Sequence, residues 1–190
     1  MPELYMIGGP NGAGKTTSAF SMLPKLLHCE EYINADAIAA ALSPFQPEEY
    51  SIQAGRLMLK QLDLLSDQKK DFAFETTMAS RSFVPFLKHC KTLGYTINLL
   101  FVYLENVELA KERVKLRVAS GGHNIPIDII ERRYQRGLSN FFNLYLPLAD
   151  DWRFYNNSVD KPALITDKEK IYDNELWNKL QSKYYENFIK

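Results

Sequence analysis

The chain has 190 residues, enough for one domain with a sizeable core. Hydrophobic residues make up 46% and charged residues 24%, the balance of an ordinary soluble globular protein. Formal net charge is zero, from 23 basic and 23 acidic residues, which argues against broad electrostatic capture of nucleic acid or of an anionic membrane.

Leu4 to Gly8 reads as a first strand, and its near-continuous apolarity suits a parallel strand covered on both faces. It runs into G-G-P-N-G-A-G-K-T-T, Gly8 to Thr17, where Gly9, Gly14, Lys15 and Thr16 satisfy G-x-x-x-x-G-K-[ST]. An amphipathic helix over Thr16 to Leu27 completes a strand–loop–helix unit. Glycines let successive backbone N–H groups turn inward, forming an anion nest at the helix N-terminus. Lys15 then reaches the β- and γ-phosphates, and the Thr16 hydroxyl holds Mg²⁺. Gly9, Pro10, Asn11, Gly12, Ala13, Gly14, Lys15, Thr16 and Thr17 are therefore the expected nucleotide contacts, with ATP and Mg²⁺ as cofactors.

Tyr32 to Asn34 is a second short strand, with Asp36 at its carboxyl end, the end that faces the ligand crevice in open α/β sheets. Asp36 is either the base that takes a proton from an acceptor hydroxyl or the N-cap of the helix Ala37 to Leu42. Glu48 to Gln68 reads as a long helix whose apolar face holds Leu57, Leu59, Leu62, Leu64 and Leu65. Phe72 to Glu75 is a third strand, again ending in a carboxylate. The run F-E-T-T-x-x-S-R after it offers Glu75, Thr76 and Arg81 to a substrate beside the crevice; a plain polar loop is the other reading.

Ser82 to Leu93 reads as a helix stopped by Gly94, and Thr96 to Leu104 is the most strand-like segment, fit for the middle of the sheet. Val107 to Ser120 and Asp128 to Leu144 read as helices joined by Gly121-Gly122-His123-Asn124-Ile125-Pro126. Arg113 and Arg117 share one helix face, as do Arg132 and Arg136. Two arginine-bearing helices around a Gly-Gly hinge make a closing lid at about residues 113–136, or a solvated basic hairpin. His123 donates to phosphate or substrate, or is an incidental loop residue. Asn156-Asn157-Ser158, after the strand Asp151 to Asn156, lies near the adenine or is an Asn/Ser turn. Ala163 to Thr166 is a last strand and Asp173 to Lys190 a closing amphipathic helix.

The βαβα alternation predicts a single domain, residues 1–190, of three-layer α/β architecture: a P-loop NTPase fold with a parallel sheet, helices on both faces and a small helical lid. Cys29 and Cys90 stand in no metal-ligand spacing and read as buried thiols in a reducing compartment. Met1-Pro2-Glu3 lacks a positively charged n-region, and the longest apolar run, Ile97 to Leu104, is too short to span a bilayer. A cytoplasmic protein without membrane or nucleic-acid partners is expected. No N-K-x-D, D-x-x-G or L-S-G-G-Q pattern is present, which sets aside GTPases and transporter ATPases. What remains is a kinase acting on a small-molecule hydroxyl. The alternative is a nucleotide-gated module that binds ATP to fix a partner surface without phosphotransfer; the acids and arginines that accompany the P-loop favour the enzyme.

Taken in order, G-G-P-N-G-A-G-K-T-T, I-N-A-D-A-I, F-E-T-T-x-x-S-R and G-G-H-N-I-P with R-R-Y-x-R resemble the zeta-toxin-like family of P-loop kinases, from Gly8 to about Phe142. The resemblance implies phosphoryl transfer from ATP to a hydroxyl of a sugar or nucleotide sugar. It places the Walker lysine at Lys15, the general base at Asp36 and the acid of the substrate loop at Glu75. The lid arginines fall at Arg117 and at one or both of Arg133 and Arg136. Toxin members of that family phosphorylate UDP-N-acetylglucosamine and are held inactive by a small helical antitoxin, which implies an antitoxin-like partner. Their substrate loop reads E-G-T where this chain has E-T-T.

Overall fold

The computed structural model describes residues 1–26, 28–122, 124–159 and 161–186. Strand β1 (Glu3–Gly8) lies in a six-stranded sheet of order β2-β3-β1-β4-β5-β6, with β2 at Glu31–Ile33, β3 at Phe72–Thr76, β4 at Thr96–Tyr103, β5 at Asp151–Asn156 and β6 at Ala163–Asp167. All pairings are parallel except the last, where β6 runs antiparallel to β5. The expected all-parallel sheet thus has an antiparallel edge. The reason is local: Asn157 to Pro162 is too short a connection for a crossover, so the chain can only turn back on β5.

Alternation along β1 divides the core between the two faces of the sheet. Leu4 and Met6 enter the larger core with Phe72, Phe74, Leu99 and Phe101, while Tyr5 and Ile7 join Ala73, Leu100, Ala19 and Leu23 under helix α1 (Lys15–Leu26). The larger core is filled from α3 (Ser51–Asp67), α4 (Phe83–Thr92), α5 (Val107–Ala119), α6 (Ile127–Asn140) and α7 (Asn174–Tyr184). A short α2 (Ala35–Leu42) and a 3₁₀ turn, Pro47–Tyr50, precede α3.

Several expected boundaries shift. The buried stripe of α3 is Ala54, Met58, Leu62 and Leu65, whereas Leu57, Leu59 and Leu64 are exposed, because the inward set follows the 3.6-residue period and the extra leucines fall beside it. The helix expected to reach Leu144 ends at Asn140, and a π-helical turn, Phe141–Tyr145, follows. It carries Phe141 and Phe142 into an aromatic cluster with Phe101, Phe154 and Trp177, and buries Tyr145. Asp173 caps α7, its side chain accepting from Leu176 N, and that helix ends at Tyr184. Among the described residues no helix is long and apolar enough to cross a membrane.

Candidate active site

The strands β1, β2 and β3 all deliver their carboxyl ends to one edge, so the loops after them converge. The glycine-rich loop follows β1, with positive φ at Gly9, Gly12 and Gly14, the backbone that turns N–H groups toward an anion. At Gly9 a Cβ would sit 2.2 Å from the Val102 carbonyl oxygen, so only glycine lets the loop lie against the end of β4. Lys15 is buried, and its Nζ donates to the Pro10 carbonyl at 3.0 Å. Burial lowers its pKa; Glu75 and Asp36 oppose that shift, and Arg117 and Arg133 reinforce it. An ammonium held this far from water needs an anionic partner, and a phosphate fits the nest beside it.

Asp36 does not cap its helix. Asn34 does, accepting from the backbone N–H groups of Asp36 at 2.8 Å and Ala37 at 3.3 Å. The α2 helix therefore starts at Ala35, and the Asp36 carboxylate is left to the cleft. That cleft, about 400 Å³, is lined by Asn11, Lys15, Asp36, Glu75, Thr76 and Arg133. Also lining it are Ile52, Arg56, Met58 and Leu59 of α3, with Ser82 and Phe83 at the start of α4. Arg56 makes no hydrogen bond or ion pair among the described residues. Asn11 Oδ1 is buried in the same cleft without a hydrogen-bond partner among the described residues, a vacancy that a ligand donor would fill.

Glu75 lines the cleft and also reaches the P-loop. Its Oε2 accepts from Thr16 Oγ1 at 2.9 Å and from the Tyr32 hydroxyl at 2.5 Å. A threonine hydroxyl beside a carboxylate offers the hard oxygens that Mg²⁺ prefers, and Mg²⁺ on a nucleotide needs few protein ligands because phosphates and water complete its shell. No group of three or more His, Cys, Asp or Glu residues able to hold a metal occurs among the described residues. Thr16 with Glu75 fits a nucleotide-borne Mg²⁺ rather than a protein-caged ion.

The loop after β3 is strained and braced. Met78 is fully buried at φ 57, left-handed backbone that a residue with a Cβ adopts at a cost. Thr76 Oγ1 accepts from Met78 N at 3.1 Å, and Asn140 Nδ2 of α6 donates to the Met78 carbonyl at 2.8 Å. The Tyr145 hydroxyl, carried on the π-helical turn, donates to the Ser80 carbonyl. Gly137 packs so closely on the Thr77 carbonyl that a Cβ would come within 2.5 Å. The helix carrying Arg133 is thereby tied to the loop that follows Thr76.

The helical hairpin of α5 and α6 is seated on the core through Ala110, Val114, Ile130, Tyr134 and Leu138, and Lys111 pairs with Glu131 across it. Arg133 lines the cleft with Lys15, whereas Arg117 does not line it and acts on Lys15 through charge alone, its guanidinium helping to lower the Lys15 pKa. Burial lowers the pKa of Arg133, and Asp36 opposite it counters the shift. Gly122 donates to the Arg117 carbonyl at 2.9 Å, and a Cβ there would meet Arg117 Cγ at 2.6 Å, so this glycine seats the arginine. Arg136 is exposed and does not line the cleft, because Arg133 shares its face with Tyr134 and Gly137 while Arg132 and Arg136 share the solvent face. Arg81 is likewise exposed, ahead of α4, and does not line the cleft; Ser82 and Phe83 do. His123 lies outside the described residues.

At the other side of the P-loop, a second cavity of about 510 Å³ is lined by Gly14, Thr17, Ser18, Arg113, Asn157 and Ser158. Asn157 Nδ2 donates to the Ala13 carbonyl at 2.8 Å, and Arg113 Nη2 to the Ser158 carbonyl at 3.4 Å. Sequence reasoning passed over Tyr32, Arg56, Gly137 and Asn140. Asn34 had a readable signal, a good N-cap residue immediately before an Ala-rich helix.

A sheet with the glycine-rich loop on its central strand, opening on a cleft beside that loop, is the P-loop NTPase architecture in its kinase form. Residues 1–170 match the zeta toxin family, and the chain belongs to that family. An uncharacterized protein of Haemophilus influenzae is 32% identical over 127 residues, covering 66% of this chain and 88% of that protein. The AvrRxo1-ORF1:AvrRxo1-ORF2 complex has a TM-score of 0.78 at 15% identity in the structure with sulphate ions, and of 0.75 at 16% identity in the one with ATP. Both alignments cover 95% of this chain and 63% of the other, so this chain spans less than two thirds of its length. A structure of the PezAT chromosomal toxin–antitoxin system of Streptococcus pneumoniae gives a TM-score of 0.68 at 17% identity, covering 98% of this chain and 79% of that one. At such identities the likeness is one of fold.

Proposed function

We propose that the protein is an ATP-dependent phosphotransferase acting on a hydroxyl of a small molecule, with a sugar or nucleotide sugar as acceptor. The observation that carries this reading is the setting of Lys15, buried in a cleft that Asp36, Glu75 and Arg133 also line. In this reading the glycine-rich loop takes the phosphates and Lys15 bridges the β- and γ-groups. The nucleoside lies in the cavity of Thr17, Arg113 and Asn157. Thr16 and Glu75 hold Mg²⁺, which when bound neutralises charge on the phosphates. Asp36, freed from capping by Asn34, accepts the acceptor's hydroxyl proton, and Arg117 and Arg133 meet the charge of the transferring group. The α3 wall supports a nucleotide-sugar acceptor: Ile52 and Leu59 offer apolar surface, and Arg56 offers a guanidinium to a phosphate or carboxylate.

The ATP-bound AvrRxo1 structure supports the choice of nucleotide, and the PezAT toxin–antitoxin system supports an antitoxin-like protein partner for this chain. Incubation with γ-labelled ATP, Mg²⁺ and a panel of sugars, nucleotide sugars and nucleosides tests the reading. A labelled sugar or nucleotide sugar is the expected product. Label on nucleosides alone would overturn the acceptor class, and label on none of them would count against phosphotransfer.

A further inference from the structure

Tyr32 sits on β2 at the edge of the sheet. Its ring packs against the small core beneath α1, edge-on to Phe20 with centroids 5.6 Å apart. Only the hydroxyl leaves that core, and it donates to Glu75 Oε2 at 2.5 Å. Thr16 Oγ1 donates to the same oxygen at 2.9 Å. Asn34 Nδ2 approaches the two hydroxyl oxygens at 3.4 and 3.5 Å. A hydroxyl has one proton to give, and an amide N–H arriving at the oxygen directs that proton elsewhere. Both protons here go to Oε2, whereas Glu75 Oε1 makes no hydrogen bond among the described residues.

We propose that Tyr32 is a positioning residue for the divalent cation of this site: by taking Glu75 Oε2 it fixes the carboxylate and leaves Oε1 to the metal or to its waters, beside Thr16. This rests on the nucleotide-site reading given above. The phenol suits the task because a tyrosine hydroxyl, with an ordinary pKa of about 10, keeps its proton and stays a donor at neutral pH. With its ring anchored under α1, the hydroxyl is held on a rigid element. Without it, the Thr16 bond at 2.9 Å would be the carboxylate's one hydrogen bond among the described residues, and the two oxygens would exchange. Outer partners of ligating carboxylates typically change metal affinity by about 10- to 100-fold.

The test is Mn²⁺ binding, followed by electron paramagnetic resonance of the free ion, to the full chain saturated with a non-hydrolysable ATP analogue. For Tyr32→Phe, which keeps the ring and removes the hydroxyl, we expect Mn²⁺ affinity to fall by about tenfold. Affinity for the analogue in EDTA should stay at the wild-type value. Glu75→Gln should lose at least as much, and adding Tyr32→Phe to Glu75→Gln should cost nothing further, since the tyrosine acts through the carboxylate. Unchanged Mn²⁺ affinity in Tyr32→Phe would overturn the proposal, as would additive losses in the double variant. If the phenylalanine variant is unstable, Tyr32→Phe on the Glu75→Gln background is compared with Glu75→Gln alone, and a further loss there overturns it too. A wild-type protein that binds no Mn²⁺ with the analogue would sink the nucleotide-site reading as well.

Discussion

Replacing Asp36 with asparagine separates catalysis from structure, because the helix that begins beside it is capped by another residue. Asn34 supplies both capping bonds, at 2.8 and 3.3 Å, and the Asp36 carboxylate makes no hydrogen bond among the described residues. The structural loss is then the interaction of one acid with a helix N-terminus, about 0.3–1 kcal/mol. For a chain of this size that is a shift in melting temperature of roughly 4 °C at most. A general base contributes about 10²- to 10⁴-fold to turnover, or roughly 2.7–5.4 kcal/mol at 1.36 kcal/mol per tenfold. The two magnitudes hardly overlap, so melting curves and steady-state transfer of γ-labelled phosphoryl, run on one preparation of Asp36→Asn, decide the role. ATP affinity should persist. Turnover within about threefold of wild type, or a loss that tracks a large drop in melting temperature, would refute the base.

The arginines should divide by where they point: Arg117→Ala and Arg133→Ala each lower kcat by about 10²- to 10³-fold with little change in KM for ATP, while Arg136→Ala stays near wild type. Equal effects at all three would contradict the geometry. Arg56→Gln should raise KM for an anionic acceptor by about tenfold and leave KM for ATP alone, which steady-state kinetics on both substrates would show. At Asp150, partial burial pushes the carboxyl upward, but the Lys91 ammonium at 2.8 Å and the Ile97 N–H at 2.9 Å outweigh it and hold the pKa below the ordinary value. A carboxyl depressed by folding stabilises above its unfolded pKa and loses that contribution as pH falls through the folded one. Asp150→Asn should therefore cost about 1 kcal/mol at pH 7, reduced for the pair's exposure, with the gap closing below about pH 4 in denaturant titrations.

The P-loop was legible because its glycines, lysine and threonine stand at a spacing that the chemistry itself demands. Strand ends were legible too, since Asp36 and Glu75 close short apolar runs. What the sequence hid depends on three-dimensional register. One residue of helix rotation separates Arg133, which enters the cleft, from Arg132, whose solvent face Arg136 shares, and adjacent arginines do not reveal it. The capping of α2 by Asn34 was open to inspection but competed with Asp36, a residue equally suited to capping. Arg56 and Tyr32 become site residues only when α3 and β2 are brought against the P-loop, and nothing local marks them. Gly122 shows the same dependence: a pair of glycines suggests a hinge, and only the folded chain shows that one of them also leaves room for the Arg117 side chain.

The central claim is that this cleft transfers a phosphoryl group and does not merely bind ATP. Wild type and Lys15→Ala, compared side by side with γ-labelled ATP, Mg²⁺ and the acceptor panel, test it most directly. The account predicts a labelled acceptor with wild type and at least a 10²-fold smaller yield with Lys15→Ala, whose melting temperature should match or exceed wild type because a buried charge is removed. Wild-type protein that binds ATP and labels no acceptor, or a Lys15→Ala variant that labels it equally well, would contradict the account.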